Sequence, residues 1–227
     1  MNELLTLDRL AAALYNARGL VFDPVDRRWT PPAPPLLREQ HEPPPGEPVS
    51  LEAAAQWLQR ESGAPLRVPI GVIGPREASS EQLAAARELG EGLAIRGYTV
   101  LCGGREGVME AVCRGVASLR GTAIGLLPDI EPSLANPYVG IAIATGLGEA
   151  RNAVIARAAF CLVAVGDSLG TLSEVALGLQ FGKRVFGLAG AARLAGVEAH
   201  CDVNAVLAEV DRLVLNLPGY PGPATRA

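Results

Sequence analysis

The chain has 227 residues, 49% of them apolar but only 4% aromatic, and 20 basic against 24 acidic side chains give a formal charge of −4. That balance shows neither a basic patch nor a basic total, which argues against duplex nucleic acid as the main partner. No apolar run is long enough to span a bilayer, and the N-terminus lacks the basic–apolar–small pattern of a signal peptide, so no membrane partner and a cytoplasmic location are expected. Cys102, Cys113, Cys161 and Cys201 are widely spaced with no Cys-x-x-Cys, which fits a reduced compartment. With only His41 and His200, a metal site built from protein ligands is not expected.

Glu3 to Ala17 carries Leu4, Leu7, Leu10, Ala11 and Leu14 at helical spacing, with Asp8 and Arg9 on the other face. The spacing predicts a helix, ended by Gly19. Leu20-Val-Phe and Arg28-Trp-Thr, on either side of Asp23-Pro-Val-Asp-Arg, predict a small hairpin. Pro31 to Pro48 is proline-rich and reads as an extended linker. Ser50 has the chemistry of an N-cap for a short helix, Leu51 to Arg60, with Glu52 in its first turn.

From Val68 onward strands and helices alternate. Strands are predicted at Val68–Ile73, Tyr98–Cys102, Thr122–Leu127, Val139–Ala144, Phe160–Val165 and Val185–Leu188. Helices are predicted at Ser80–Arg96 (stopped by Gly97), Val108–Leu119, Glu149–Ala159, Thr171–Phe181 and Val203–Leu215, the last capped by Asp202. This is the pattern of an α/β fold: a Rossmann-like, doubly wound parallel sheet with helices on both faces. It occupies residues 67–227, with residues 1–66 as an N-terminal extension. Ligands of such sheets bind outside the carboxyl ends of the strands, where the glycine-rich turns of this chain fall.

Three clusters at that edge carry candidate chemistry. The first is Cys102-Gly-Gly-Arg-Glu-Gly107-Val108, where Gly103 and Gly104 allow a sharp turn and close approach to a ligand, and Gly107 opens a helix. A plain strand–helix turn explains this cluster equally well. The second is Thr145-Gly-Leu-Gly-Glu-Ala-Arg151-Asn152. A cation at the start of a helix faces the positive end of the dipole, at a cost of roughly 0.3–1 kcal/mol. That cost points to a task for Arg151, such as gripping a carboxylate or a phosphate with its planar fork, unless Glu149 merely offsets it on the surface.

The third cluster, Gly166-Asp167-Ser168-Leu-Gly170-Thr171-Leu-Ser-Glu174, follows a buried strand and opens a helix, leaving backbone N–H groups to face an anion. Thr171-Leu-Ser-Glu174 also matches a capping box, in which Glu174 would only start its own helix. On the sequence both readings stand.

Taken together, Gly103-Gly104…Gly107-Val-Met-Glu-Ala, Ala150-Arg-Asn152 and Gly170-Thr-Leu-Ser-Glu174 resemble the Lonely-guy superfamily. This family was formerly labelled "possible lysine decarboxylase" and includes cytokinin-activating phosphoribohydrolases and molybdenum cofactor carrier proteins. The resemblance covers about residues 68–215. It implies that Glu174 and Arg151 correspond to the catalytic pair of the phosphoribohydrolases, and that Gly170 and Thr171 match the second half of their Pro-Gly-Gly-x-Gly-Thr-x-x-Glu phosphate signature. The first half departs: Gly166-Asp167-Ser168 stands where Pro-Gly-Gly is expected. Two flexible positions are lost, and a carboxylate enters a loop meant for an anion.

This departure tips the resemblance toward the carrier branch. It implies a binding protein for a phosphorylated heterocycle, either the molybdenum cofactor or a nucleotide monophosphate, with no cofactor required by the protein itself. Gly74, Gly103, Gly104, Gly107, Val108, Arg151, Asn152, Asp167, Ser168, Gly170, Thr171 and Glu174 would line the site. The alternative is a nucleoside 5′-monophosphate phosphoribohydrolase in which Arg151 and Glu174 release free base and ribose 5-phosphate. A third reading is a nucleotide sensor or oligomeric scaffold. The family's habits imply a homodimer or a higher homo-oligomer.

Overall fold

Leu5 and Leu7 are buried while Thr6 and Asp8, which alternate with them, are half-exposed, which is the two-residue period of a strand, not the 3.6-residue period of a helix. The computed structural model describes residues 4–32 and 46–220, and its first segment forms β1 (Leu5–Asp8) and β2 (Ala13–Asn16). The helix expected over Glu3–Ala17 is therefore replaced by an antiparallel hairpin with Leu7 opposite Leu14. The reason lies at its tip. The Asp8 carboxylate accepts the amides of Leu10 and Ala11 at 3.0 and 3.1 Å, and Ala12 takes a left-handed φ of 49°. Asp stabilises such a turn as an Asx motif. Leu10, read as part of an apolar stripe, is 102% exposed.

The expected hairpin is present as β3 (Val21–Asp23) and β4 (Arg28–Thr30), with Phe22 opposite Trp29 and their rings 5.1 Å apart. Gly19 (φ 73°) turns the chain between β2 and β3 instead of ending a helix. The proline-rich stretch lies largely outside the described residues, but its end forms β5 (Glu47–Val49), with Pro48 opposite Thr6 on the sheet edge, where proline is tolerated. The five-stranded sheet runs β4-β3-β2-β1-β5. Helix α1 (Leu51–Arg60) follows, capped by the Ser50 hydroxyl on the Ala53 amide at 3.1 Å. The described residues divide into two compact units, one ending at Leu66 and resuming at Ala208, the other running Arg67–Leu207.

The second unit contains β6 (Ile70–Ile73), α2 (Ser80–Arg96), β7 (Val100–Cys102), α3 (Val108–Ser118), β8 (Ala123–Leu127), β9 (Ile141–Ala144), α4 (Arg151–Ala158), β10 (Leu162–Val165), α5 (Leu169–Gln180), β11 (Val185–Leu188) and β12 (Val197–Ala199), and α6 (Val203–Val214) begins in it. The seven strands run β12-β11-β10-β6-β7-β8-β9, every pairing parallel. This is the Rossmann-like sheet that the alternation predicts. The short strand β12 was not anticipated, because three residues after an Ala/Gly-rich loop give too little pattern to read.

Two features of this unit bear on the site. Helices α2 and α3 meet backbone to backbone: a Cβ on Gly90 would overlap the Val112 carbonyl, and one on Gly115 would overlap that of Arg87. Gln82, in the first turn of α2, accepts the Ser79 amide at 3.0 Å and donates to the Ala189 carbonyl at 3.2 Å; a Cβ on Gly166 would fall 2.7 Å from its Cδ. One side-chain amide thus closes a capping box and touches the turns after β10 and β11.

Candidate functional site

Strand order reverses between β6 and β10, because the chain moves outward from β6 to β9 before returning on the other side with β10. Loops leaving two such strands diverge and open a crevice at the carboxyl edge. A cavity of about 960 Å³ lies here, lined by the turns after β6 (Gly74), β7 (Gly103) and β10 (Asp167–Thr171) and by the start of α4.

At its floor, Arg151 and Glu174 are only 5% and 6% exposed. Arg151 Nη1 donates to Glu174 Oε1 at 3.1 Å and to Asn152 Oδ1 at 2.8 Å. Asn152 Nδ2 donates to the Ser173 hydroxyl at 3.0 Å, which in turn donates to the Gly170 carbonyl at 2.7 Å. A continuous polar chain therefore ties α4 to the first turn of α5. Arg151 Nε is buried with no partner. Burial pushes the Glu174 carboxyl from 4.5 up to about 7, against the opposing pull of Arg151's charge and hydrogen bond.

A short 3-10 turn, Gly148–Ala150, precedes α4, so Arg151 is the first α-helical residue, where burial adds to the dipole penalty. Its partners are Glu174 and Asn152, not Glu149 on the surface. The guanidinium fits because residue 103 has no side chain: a Cβ there would fall 2.8 Å from Arg151 Cζ.

The capping-box reading of Thr171 and Glu174 does not describe this helix. Helix α5 begins at Leu169, and the Ser168 hydroxyl accepts the Thr171 amide at 3.1 Å. Ser168 is the cap, and Glu174 lies a turn further along, engaged with Arg151. Gly170 faces open space, since an added Cβ would meet nothing closer than the Ser168 hydroxyl at 3.8 Å.

Of the sequence candidates, Gly74, Gly103, Arg151, Asn152, Asp167, Ser168, Gly170, Thr171 and Glu174 come together around the cavity. Gly104, Gly107 and Val108 are not part of its lining. Gly104 packs on the Gly125 backbone, and its amide donates to Cys102 Sγ at 3.4 Å. The Val108 amide donates to the Pro75 carbonyl at 3.1 Å. Sequence reading missed Pro75, Arg76, Glu77, Met109 and Ser173, which also line the cavity. The Gly74-Pro75-Arg76 turn immediately after the first parallel strand was the signal that could have flagged the first three. No group of three or more potential metal ligands occurs among the described residues. Nor is any described helix long and apolar enough to cross a membrane.

The SLOG cluster4 family model matches residues 67–213. An uncharacterized protein of Archaeoglobus fulgidus is 41% identical over 119 residues, 52% of this chain and 78% of its own. Among solved structures, the molybdenum cofactor binding protein of the phototrophic bacterium Rippkaea orientalis is 34% identical with a TM-score of 0.62, over 66% of this chain and 99% of that one. The molybdenum cofactor carrier protein of Chlamydomonas reinhardtii is 38% identical with a TM-score of 0.61, over 66% and 100%. The fold, the order of the glycine turns and these matches agree: the chain belongs to the SLOG cluster4 family.

Proposed function

We propose that the chain binds a phosphorylated heterocycle without transforming it, in the manner of a molybdenum cofactor carrier. The observation that carries this reading is the engagement of Glu174: its Oε1 is held by Arg151 at the cavity floor. Support comes from similarity to the two molybdenum cofactor proteins, which spans 66% of this chain and 99% and 100% of theirs. The phosphate would be met by Arg151, whose Nε has no partner, and by the open start of α5 at Gly170. Asp167 would accept hydrogen bonds from an amino-substituted ring. The molybdenum cofactor brings its own metal ligands, so the protein needs to supply only polar contacts and a shaped wall.

A hydrolytic reading has one observation in its favour. A buried carboxyl with its pKa near 7 is suited to proton transfer at neutral pH. Glu174 would then activate water against the glycosidic carbon of a nucleoside monophosphate. Incubation with purine and pyrimidine monophosphates separates the two. Saturable binding of the molybdenum cofactor with no ribose 5-phosphate released supports the carrier. Release that disappears in Glu174→Gln overturns it.

We further assign residues 67–227 as the ligand-binding domain, residues 1–66 as its extension, and a homodimer or higher oligomer as the working form. Strand β9 ends the parallel sheet with Ile141 and Ile143 both exposed, whereas such strands are normally covered on both faces. Light scattering on the purified chain tests the assembly. Three buried free thiols, Cys102, Cys113 and Cys161, support a reducing cytoplasmic setting.

A further inference from the structure

Beside the main cavity, between the N-terminal halves of α2 and α3, lies a second hollow of about 560 Å³. Arg76, Arg87 and Arg114 line it against one carboxylate, Glu110. In a chain of net charge −4, these three guanidinium groups outnumber Glu110 and the Glu91 that pairs with Arg87, which leaves a local positive excess that an anion would relieve. None of the three has a strong competing engagement. Arg76 has no ion pair or side-chain hydrogen bond among the described residues. Arg87 meets Glu91 at 3.0 Å in an exposed i,i+4 pair of the kind that contributes little. Arg114 is exposed, with its guanidinium 5.7 Å from the centroid of the Tyr138 ring, a weak cation–π contact at such a site. Leu83, partly exposed in the same lining, offers an apolar surface on which a flat base can rest.

Arg76 lines both cavities. Its backbone is fixed, because the neighbouring Pro75 carbonyl receives the Val108 amide and its own carbonyl packs against Gly107, whose φ is +71°. The side chain therefore stands on a fixed partition between the two hollows, free to reach a phosphate bridging them.

We propose that this arginine-lined groove is a second, nucleotide-binding subsite, so that the preferred ligand is a phosphorylated heterocycle extended through a pyrophosphate to a nucleoside. The assignment rests on the main cavity holding the first half, as proposed above. A free nucleoside phosphate bound beside the first ligand would use the same chemistry. Guanosine 5′-monophosphate and diguanosine 5′,5′-pyrophosphate serve as probes, because guanine presents an amino-substituted edge.

Isothermal titration of the full chain, of Arg87→Ala/Arg114→Ala and of Arg151→Ala tests the proposal; both groove arginines are exposed, so that variant folds. The dinucleotide is expected to bind at least about tenfold more tightly than the monophosphate. That advantage should vanish in Arg87→Ala/Arg114→Ala, while the first monophosphate binds as before. A second equivalent of monophosphate that disappears in the same variant would assign the groove to a free nucleotide. Equal affinities, no second equivalent and an indifferent double variant would overturn the subsite. If instead Arg151→Ala leaves every affinity unchanged, it is the reading of the main cavity that fails.

Discussion

The Arg151 guanidinium occupies the space in which a side chain on Gly103 would stand; a Cβ there would fall 2.8 Å from Arg151 Cζ and 2.7 Å from Met109 Sδ. The glycine after β7 therefore acts on the site through Arg151. Gly103→Ala should displace the guanidinium, break its bond to Glu174, and weaken phosphate-ligand binding about as much as Arg151→Ala does. Overpacking of this kind costs about 1–3 kcal/mol of stability. Thermal melts with and without ligand check both effects, and a Gly103→Ala protein that binds normally removes the coupling.

Glu174 gives the chain a pH signature. Its folded pKa, near 7, lies above its ordinary 4.5, so the folded state holds the proton more tightly than the unfolded state does. The associated stability is fully present below about 4.5 and is lost as pH rises through about 7. Glu174→Gln cannot titrate. Urea unfolding across this window should show the wild type losing stability relative to the variant, whatever their offset at one pH. Parallel profiles would mean that burial does not govern this carboxyl.

Gly107 and Gly19 share a left-handed backbone, at φ +71° and +73°, but differ in surroundings. A Cβ on Gly107 would lie 2.5 Å from the Pro75 carbonyl oxygen and overlap that of Arg76, whereas nothing stands within 4 Å of Gly19. Gly19→Ala should cost about 1 kcal/mol, the usual penalty of a left-handed alanine. Gly107→Ala should cost clearly more, because rigid backbone must move. Denaturant midpoints for the two variants compare them directly, and equal losses would contradict the packing argument.

Asp167 and Ser168 stand where a tighter phosphate loop would have glycines. Ser168→Ala removes the cap on the Thr171 amide and should cost about 1 kcal/mol. Asp167→Asn weakens the acceptor proposed for the amino-substituted ring, so the affinity of the chain for guanosine 5′-monophosphate should fall several-fold. Titration calorimetry at two salt concentrations reads this, and a higher affinity, greatest at low salt, would place the phosphate, not the ring, next to Asp167.

The sequence announces the parallel sheet because each helix carries its own boundary chemistry. Helix α2 starts and stops where Ser79, Gln82 and Gly97 dictate, with the glycine at φ 85°. The first hairpin of the N-terminal sheet was illegible for the opposite reason, although its second hairpin could be read. Leu4, Leu7, Leu10 and Leu14 satisfy helical spacing, and only the Asp8 turn and the left-handed Ala12 select a hairpin. At the site, Arg151 and Glu174 could be singled out from residue type and context. Their contact spans 23 positions in sequence and needs the fold to reveal it. Ser168 displaced Thr171 as the cap because either hydroxyl suits the role, and the helix begins two residues earlier than its apolar pattern suggests.

Gln82 lies behind the rim, joining the head of α2 to the Ala189 carbonyl while resting against Gly166. A visiting molecule thus meets walls already braced from the rear. Capture then demands little rearrangement of that wall, and the entropy lost on docking falls mainly on the guest. Swapping this glutamine for glutamate would keep the inward clasp yet abolish the outward donor, loosening the rim without touching any group the guest contacts.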